Sequence, residues 1–270
     1  MRTVRKHVDE KWMLLYIERW LKVSYQTKDG AMLERTMGVP QGSVIGPVLA
    51  NLFLHYVFDM WIATKYPCIP FERYADDTIC HCWTEKQAQY LKSVLMERFD
   101  ECGLKLNEDK TKIVYCKDSN RKGNSENTSF DYLGFTYRPR CARNKKTGQV
   151  FTAFLPAISE KSVMKIKTEI RSWNLHRHVQ RSLKDIAKNI APQVRGWLNY
   201  YSMVGKTEIG KVMSYLNDKL VKFVKRKYKR FAGNRGKLVK ARIWLSKVAT
   251  ADRNLFVHWT YGYIPYIEVN

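Results

Sequence analysis

The spacing of apolar residues changes once along the chain, near Pro156, and that change constrains the fold more than any other feature. Beyond it, Val163, Ile166, Ile170 and Trp173 fall on one helix face. Val194, Trp197, Leu198 and Tyr201 form a second stripe, and Met213, Leu216, Leu220, Phe223 and Val224 a third. Before Pro156, short apolar runs are cut by Gly, Pro, Asn and Asp, the pattern of small strands set between helices. The sequence therefore predicts an α+β chain, with a domain of antiparallel sheet and helices over 1–158 and an all-α domain over 159–270.

Within the first domain, residues 4–22 space Val4, Val8, Trp12, Leu15, Ile17 and Leu21 roughly as a helix would. Val23 to Met37 reads as a hairpin turning at Lys28-Asp29-Gly30. Gly38-Val39-Pro40-Gln41-Gly42 breaks the strand, and Ser43 suits the N-cap of a helix with Ile45, Leu49, Leu52, Tyr56 and Met60 on one face and Pro47 in its first turn. Ile69 to Trp83 predicts two strands joined at Ala75-Asp76-Asp77, followed by a helix over 85–102 that stops at Gly103. A strand over Thr111 to Cys116, an exposed loop over 117–129, and strands around Tyr132–Tyr137 and Val150–Leu155 complete the domain.

Charge separates the two parts further. Residues 1–140 carry 21 Lys and Arg against 18 Asp and Glu, whereas 141–270 carry 27 against 7. So large an excess, interleaved with aromatics, favours a polyanionic partner and nucleic acid above all. The six cysteines contain no C-x-x-C pair and read as reduced, mostly buried thiols. No stretch is long and apolar enough to predict a membrane span, and the first residues do not resemble a secretory signal, so a cytoplasmic place is expected, or an organellar one in a eukaryote.

Two elements carry chemistry. Asp76 and Asp77 set two carboxylates at a strand junction, and hard cations such as Mg2+ take oxygen ligands of this kind, although Asp-Asp is also a common turn dipeptide. Pro40-Gln41-Gly42-Ser43 ends a strand and opens a helix, which frees backbone N–H groups for phosphates, or else forms a plain turn and cap.

The ordered strings RTMGVPQGSVIGPVLANLFLHYVFD, RYADDTI, LNEDKTKIV and FDYLGF resemble the reverse transcriptases of group II introns from the palm onward, and IAPQVRGWLNYYS with the basic helices after it resembles their thumb or maturase domain. The resemblance implies a partial polymerase palm followed by a thumb/maturase domain, with nucleotidyl transfer supported by Mg2+, or Mn2+ in its place. It implies Asp76 and Asp77 as metal-binding catalytic carboxylates and Lys110 as the lysine that assists pyrophosphate departure. It places Pro40, Gln41 and Gly42 against the incoming nucleotide, and Tyr132, Leu133 and Gly134 in the hairpin supporting the primer end. Lys225, Arg226, Lys229 and Arg230, within a run of six basic residues in nine, are the residues expected to meet RNA. Partners implied are an RNA template, intron RNA, a DNA primer and deoxynucleoside triphosphates.

In that family a further palm aspartate and the fingers lie upstream of the helix with which this sequence opens. The chain thus reads as an N-terminally truncated form that needs a missing segment or second polypeptide, with Asp59 or Asp100 as the fallback third carboxylate. The alternative reading is an RNA-binding splicing cofactor that performs no synthesis.

Overall fold

The computed structural model describes residues 1–35, 37–39, 42–121, 123–233 and 235–265. It divides into two compact units, Met1–Ile113 and Val114–Asn270.

The first unit begins with a 3-10 turn, Val4–Lys6, and helix α1, Lys11–Lys22. The hairpin β1 (Tyr25–Gln26) and β2 (Met32–Leu33) follows, antiparallel with Tyr25 opposite Leu33, and Gly30 at φ +87° makes its turn. Helix α2, Gly46–Leu54, runs through a π-helical segment, His55–Asp59, into α3, Met60–Lys65. Strands β3 (Phe71–Tyr74) and β4 (Asp77–Cys80) pair antiparallel, and α4, Glu85–Glu101, closes the unit. Thr84 caps α4 by accepting from the Gln87 N–H, and Gly103 at φ +71° lets the Leu104 N–H reach back to the Phe99 carbonyl. The core here is small. Phe58, Ile62, Ile69 and Leu91 are its buried centre, with Phe71 and Phe99 edge-on to Phe58.

The second unit places a three-stranded antiparallel sheet beside a helical body. Strand β6 (Phe135–Arg143) lies between β5 (Phe130–Tyr132) and β7 (Val150–Ile158). Five helices follow: α5 (Glu160–Ser172), α6 (Leu183–Tyr201), α7 (Lys206–Lys227), α8 (Arg235–Ala251) and α9 (Val257–Thr260). Ser182 and Asp185 cap α6 reciprocally, so the helix starts sharply. The three apolar stripes lie on α5, α6 and α7 as their spacing predicts, and α7 forms the axis of the core, with Met213, Leu216, Leu220, Phe223 and Val224 inaccessible to solvent. Asn217 is the polar node within it. Its Oδ1 accepts from Trp259 Nε1 at 3.0 Å and from His258 Nε2 at 2.8 Å, while its amide donates to the Tyr263 carbonyl at 2.9 Å. Burial drives the His258 pKa down to about 3, which keeps the ring neutral and its Nε2 proton available for that bond.

Four expectations change. The first apolar run forms a 3-10 turn and a shorter helix rather than one helix over 4–22. The face expected to end at Met60 shifts at the π segment: its extra residue in the turn carries Val57, Phe58 and Ile62 into the core and leaves Met60 exposed. Thr111 to Cys116 is not a strand, because no neighbouring strand among the described residues pairs with it; the Tyr115 N–H instead bonds the Asn127 carbonyl. The cysteines are half-buried or exposed rather than mostly buried, and Cys80, whose thiol burial raises to about 12, is the least reactive.

Candidate active site and nucleic-acid interface

Asp76 and Asp77 stand where β3 turns into β4. Tyr74 pairs with Asp77, so the turn itself is the dipeptide Ala75-Asp76. A two-residue hairpin turn requires positive φ in its first central position, normally filled by Gly, Asn or Asp. Here Ala75 takes it at φ +54°, at a cost of about 1–2 kcal/mol for a residue with a Cβ. Both aspartates are exposed, and neither carboxylate has a hydrogen-bond or ion-pair partner among the described residues. Among those residues no three His, Cys, Asp or Glu side chains come together around a common point.

Beneath the turn lies a side chain that sequence reasoning passed over. Arg73, in β3 just ahead of the dipeptide, donates from Nε and Nη2 to the two carboxylate oxygens of Asp59, each at 2.6 Å. Its Nη1 donates to Asn51 Oδ1 at 2.9 Å and to the Ala75 carbonyl at 2.8 Å. Burial works to raise the Asp59 carboxyl, but the hydrogen bonds and charge of Arg73, with His55 alongside, outweigh it and hold the group below the ordinary carboxylate range. Asp59, one of the two fallback carboxylates, is thus already paired with Arg73. Asp59 belongs to the π segment, which no propensity in HYVFD announces; the only sequence signal was an Arg immediately before the Tyr-Ala-Asp-Asp string.

The other expected residues are placed as follows. Pro40 and Gln41 lie outside the described residues; Gly42 is exposed at φ +85°, and a Cβ there would meet nothing within 4 Å. The Ser43 hydroxyl accepts from the Gly46 N–H at 3.1 Å, tying this loop to the start of α2. Lys110 is exposed on a turn held by Asn107, and no hydrogen bond or ion pair joins it to Asp76 or Asp77.

In the second unit, Tyr132 and Phe135 pair across the turn Leu133-Gly134, at φ +49° and +79°. The Tyr200 hydroxyl donates to the Leu133 carbonyl at 2.8 Å, and the Gly134 carbonyl accepts from the Ser162 hydroxyl at 3.1 Å and the Ser159 N–H at 2.9 Å. A Cβ on Gly134 would lie 2.9 Å from the Tyr201 hydroxyl, so only glycine fits. The Asn-Tyr-Tyr-Ser string, read only as part of a helical motif, is what clamps this hairpin tip.

Arg226, Lys229 and Arg230 are exposed, and Lys225 is half-buried. Helix α7 ends at Lys227, so Lys229 and Arg230 stand on a 3-10 turn rather than on the helix. The Arg230 guanidinium rests over Phe231 at 4.7 Å and Trp244 at 5.4 Å. Lys227, the fourth of the six cations in the run, donates to the Val179 carbonyl at 2.7 Å and is structural. His176, near Arg226, Arg177, Lys219 and Lys222, has its pKa lowered by burial and then by those charges, a sign of a concentrated positive field.

A family model described as reverse transcriptase (RNA-dependent DNA polymerase) matches residues 2–137, and one described as group II intron, maturase-specific domain matches residues 163–243. The chain belongs to the group II intron reverse transcriptase/maturase family. The first match contains Asp76, Asp77, Lys110 and the Tyr132–Phe135 turn; the second contains the basic run. Reverse transcriptases are nucleotidyltransferases that generally use divalent metal ions, and the two domains together imply RNA and other nucleic acid as partners. No curated protein matches the chain. Among the described residues no helix is long and apolar enough to cross a membrane.

Proposed function

We propose that the chain is the palm-and-thumb part of an RNA-directed DNA polymerase that also binds intron RNA as a maturase. Residues 1–158 serve as the palm portion and 159–270 as the thumb/maturase. The observation that carries this reading is the pair of carboxylates, without partners among the described residues, on a strained turn held by Arg73. Their donor atoms suit Mg2+, which takes one or two protein carboxylates, keeps several waters and binds substrate phosphates. When bound, the ion would lower the charge barrier to attack on a nucleoside triphosphate. Asp76 and Asp77 would hold it. Gln41 and Gly42 border the nucleotide, Lys110 donates a proton to the departing pyrophosphate, and the Tyr132–Gly134 tip supports the primer end.

With Asp59 engaged by Arg73, the carboxylate opposite the pair is assigned in this reading to a separate segment or second polypeptide, with Asp100 as the remaining fallback. The test is primer extension on an RNA template by the purified chain, with and without a polypeptide that carries fingers and a palm aspartate. Expected are negligible synthesis by the chain alone and Mg2+-dependent synthesis on complementation, lost in Asp76→Asn. Synthesis that persists in Asp76→Asn would overturn the site.

The alternative, a splicing cofactor without synthesis, shares the basic surface around Arg226 and Arg230. Both readings expect binding of folded intron RNA to weaken steeply with salt. Replacing Lys225, Arg226, Lys229 and Arg230 by Ala should flatten the slope by roughly 0.7–0.9 for each phosphate that is no longer neutralised. An unchanged slope would remove this surface from the interface; binding with no complemented synthesis would favour the cofactor.

A further inference from the structure

The Arg73 side chain does three things at once: it grips Asp59 through both carboxylate oxygens, reaches Asn51 on α2, and holds the carbonyl of Ala75 inside the turn. We propose that Arg73 is a positioning residue that braces the Asp76-Asp77 turn for cation binding, and that Asp59 keeps its charge from competing with the cation. The inference rests on the reading of Asp76 and Asp77 as metal ligands and assigns how they are held.

The turn needs such a brace. Ala75 sits at φ +54°, a conformation the local sequence resists, and β3–β4 is a two-stranded sheet of four residues per strand. A lone hairpin is marginal in water, so its turn would sample other conformations unless something outside it fixed the backbone. Arg73 fixes it to the longest helical segment of the unit. The bond to the Ala75 carbonyl lies within the turn, while Asp59 and Asn51 come from the continuous run of α2 and the π segment.

Charge explains why an acid sits at the far end. A guanidinium so close in sequence to Asp76 would, if free, pair with that carboxylate and occupy the place of the cation. Asp59 prevents this. Its two 2.6 Å bonds match the planar fork of Arg73, and the Arg73 side chain is only 11% exposed, so the pair is shielded from water. The π segment ends in Asp59, and its wider turn shifts that residue from the α-helical phase set by α2 and toward Arg73. Lys could offer one charge, but not two parallel bonds to Asp59 together with two more to Asn51 and Ala75.

Calorimetric titration of Mn2+ into the full chain separates the brace from the site it serves. Asp76→Asn/Asp77→Asn should lose the binding; unchanged binding there overturns the metal-site reading itself. With that control lost as expected, Arg73→Gln should weaken Mn2+ binding about 10-fold, and Arg73→Lys should recover only part of it. Wild-type affinity in Arg73→Gln overturns the brace and leaves the site standing.

Arg73→Gln also strands the Asp59 carboxylate and could unfold the unit, so Asp59→Asn/Arg73→Gln is measured beside it. Asp59→Asn alone should bind Mn2+ more weakly than the double variant, because it frees Arg73 toward Asp76. The reverse order would refute the guarding role. Hydrogen exchange over residues 71–80 reads the brace with no metal present. Exchange at least about 10-fold faster in the double variant, with α4 unchanged, is expected; equal exchange overturns the proposal.

Discussion

The two units solve the problem of burying apolar surface to very different extents. Among the described residues, the Val114–Asn270 unit has a continuous core of 23 buried residues, including Trp259, Phe223 and Phe256, whereas the buried cluster of the Met1–Ile113 unit has four. The same first unit leaves Trp12, Tyr16 and Trp20 exposed one above the other along α1, and Met32, Leu33, Val44 and Val48 exposed after it. The basic second unit thus has the larger apolar core to stabilise it, while the unit with the Asp-Asp turn has a small core supplemented by a few polar clamps.

The largest effect expected from that contrast is at Asn217. Asn217→Leu removes the acceptor for both His258 Nε2–H and Trp259 Nε1–H in a sealed core, and should cost about 3–5 kcal/mol in denaturant unfolding of the second unit. Loss below about 1 kcal/mol would mean that this core is looser than its burial implies. Gly134→Ala comes next, at about 2–3 kcal/mol, since the new Cβ meets the Tyr201 and Ser162 hydroxyls at positive φ. Its unfolding midpoint can be set against Gly42→Ala, where open space leaves only the backbone penalty.

A pH series sharpens the comparison. The His258 pKa falls from 6.5 to about 3 on folding, so between those values the unfolded chain binds a proton that the folded one excludes. Stability is therefore full above about pH 6.5 and falls toward acid by up to about 1.4 kcal/mol per pH unit from this group. Thermal unfolding of wild type and His258→Gln from about pH 7.5 to about pH 5 should show the smaller decline in the variant; parallel declines would show the ring to be accessible to protons. The smallest effect belongs to the first unit. Trp12→Ser, on the open face of α1, should change stability by no more than about 0.5 kcal/mol. A cost of several kcal/mol would reveal that the α1 face is covered in solution.

Sequence periodicity was sufficient where the core is large. The stripes beginning at Val163, Val194 and Met213 are long enough for the helical period to be read without ambiguity, and each lies on a helix with that face buried. The turn at Asp29-Gly30 was legible too, since Gly30 takes positive φ, whereas the turn at Leu133-Gly134 falls inside what read as one strand around Tyr132–Tyr137 and was expected only from the resemblance. What escaped was set by tertiary partners. Thr111 to Cys116 has strand composition but no described strand beside it, and no local property of Asp59 says that an arginine fourteen residues on will claim it. The carboxylate pair could be found because its chemistry is local in sequence; the side chains that hold it are spread over α2, the π segment and β3, and only the fold collects them.

The π segment at His55–Asp59 also fixes a reading frame in space. Each α-helical residue advances the side-chain direction by about 100°, so the extra residue in this turn acts as an angular offset between everything before it and everything after. Loss of one residue there would straighten the backbone into an ordinary helix and leave every side chain chemically intact. It would nonetheless turn Asp59 out of its common aim with Asn51 on Arg73, and rotate Phe58 and Ile62 away from their buried positions. The length of this stretch, as much as the identity of Asp59 within it, is what keeps the hairpin on its footing.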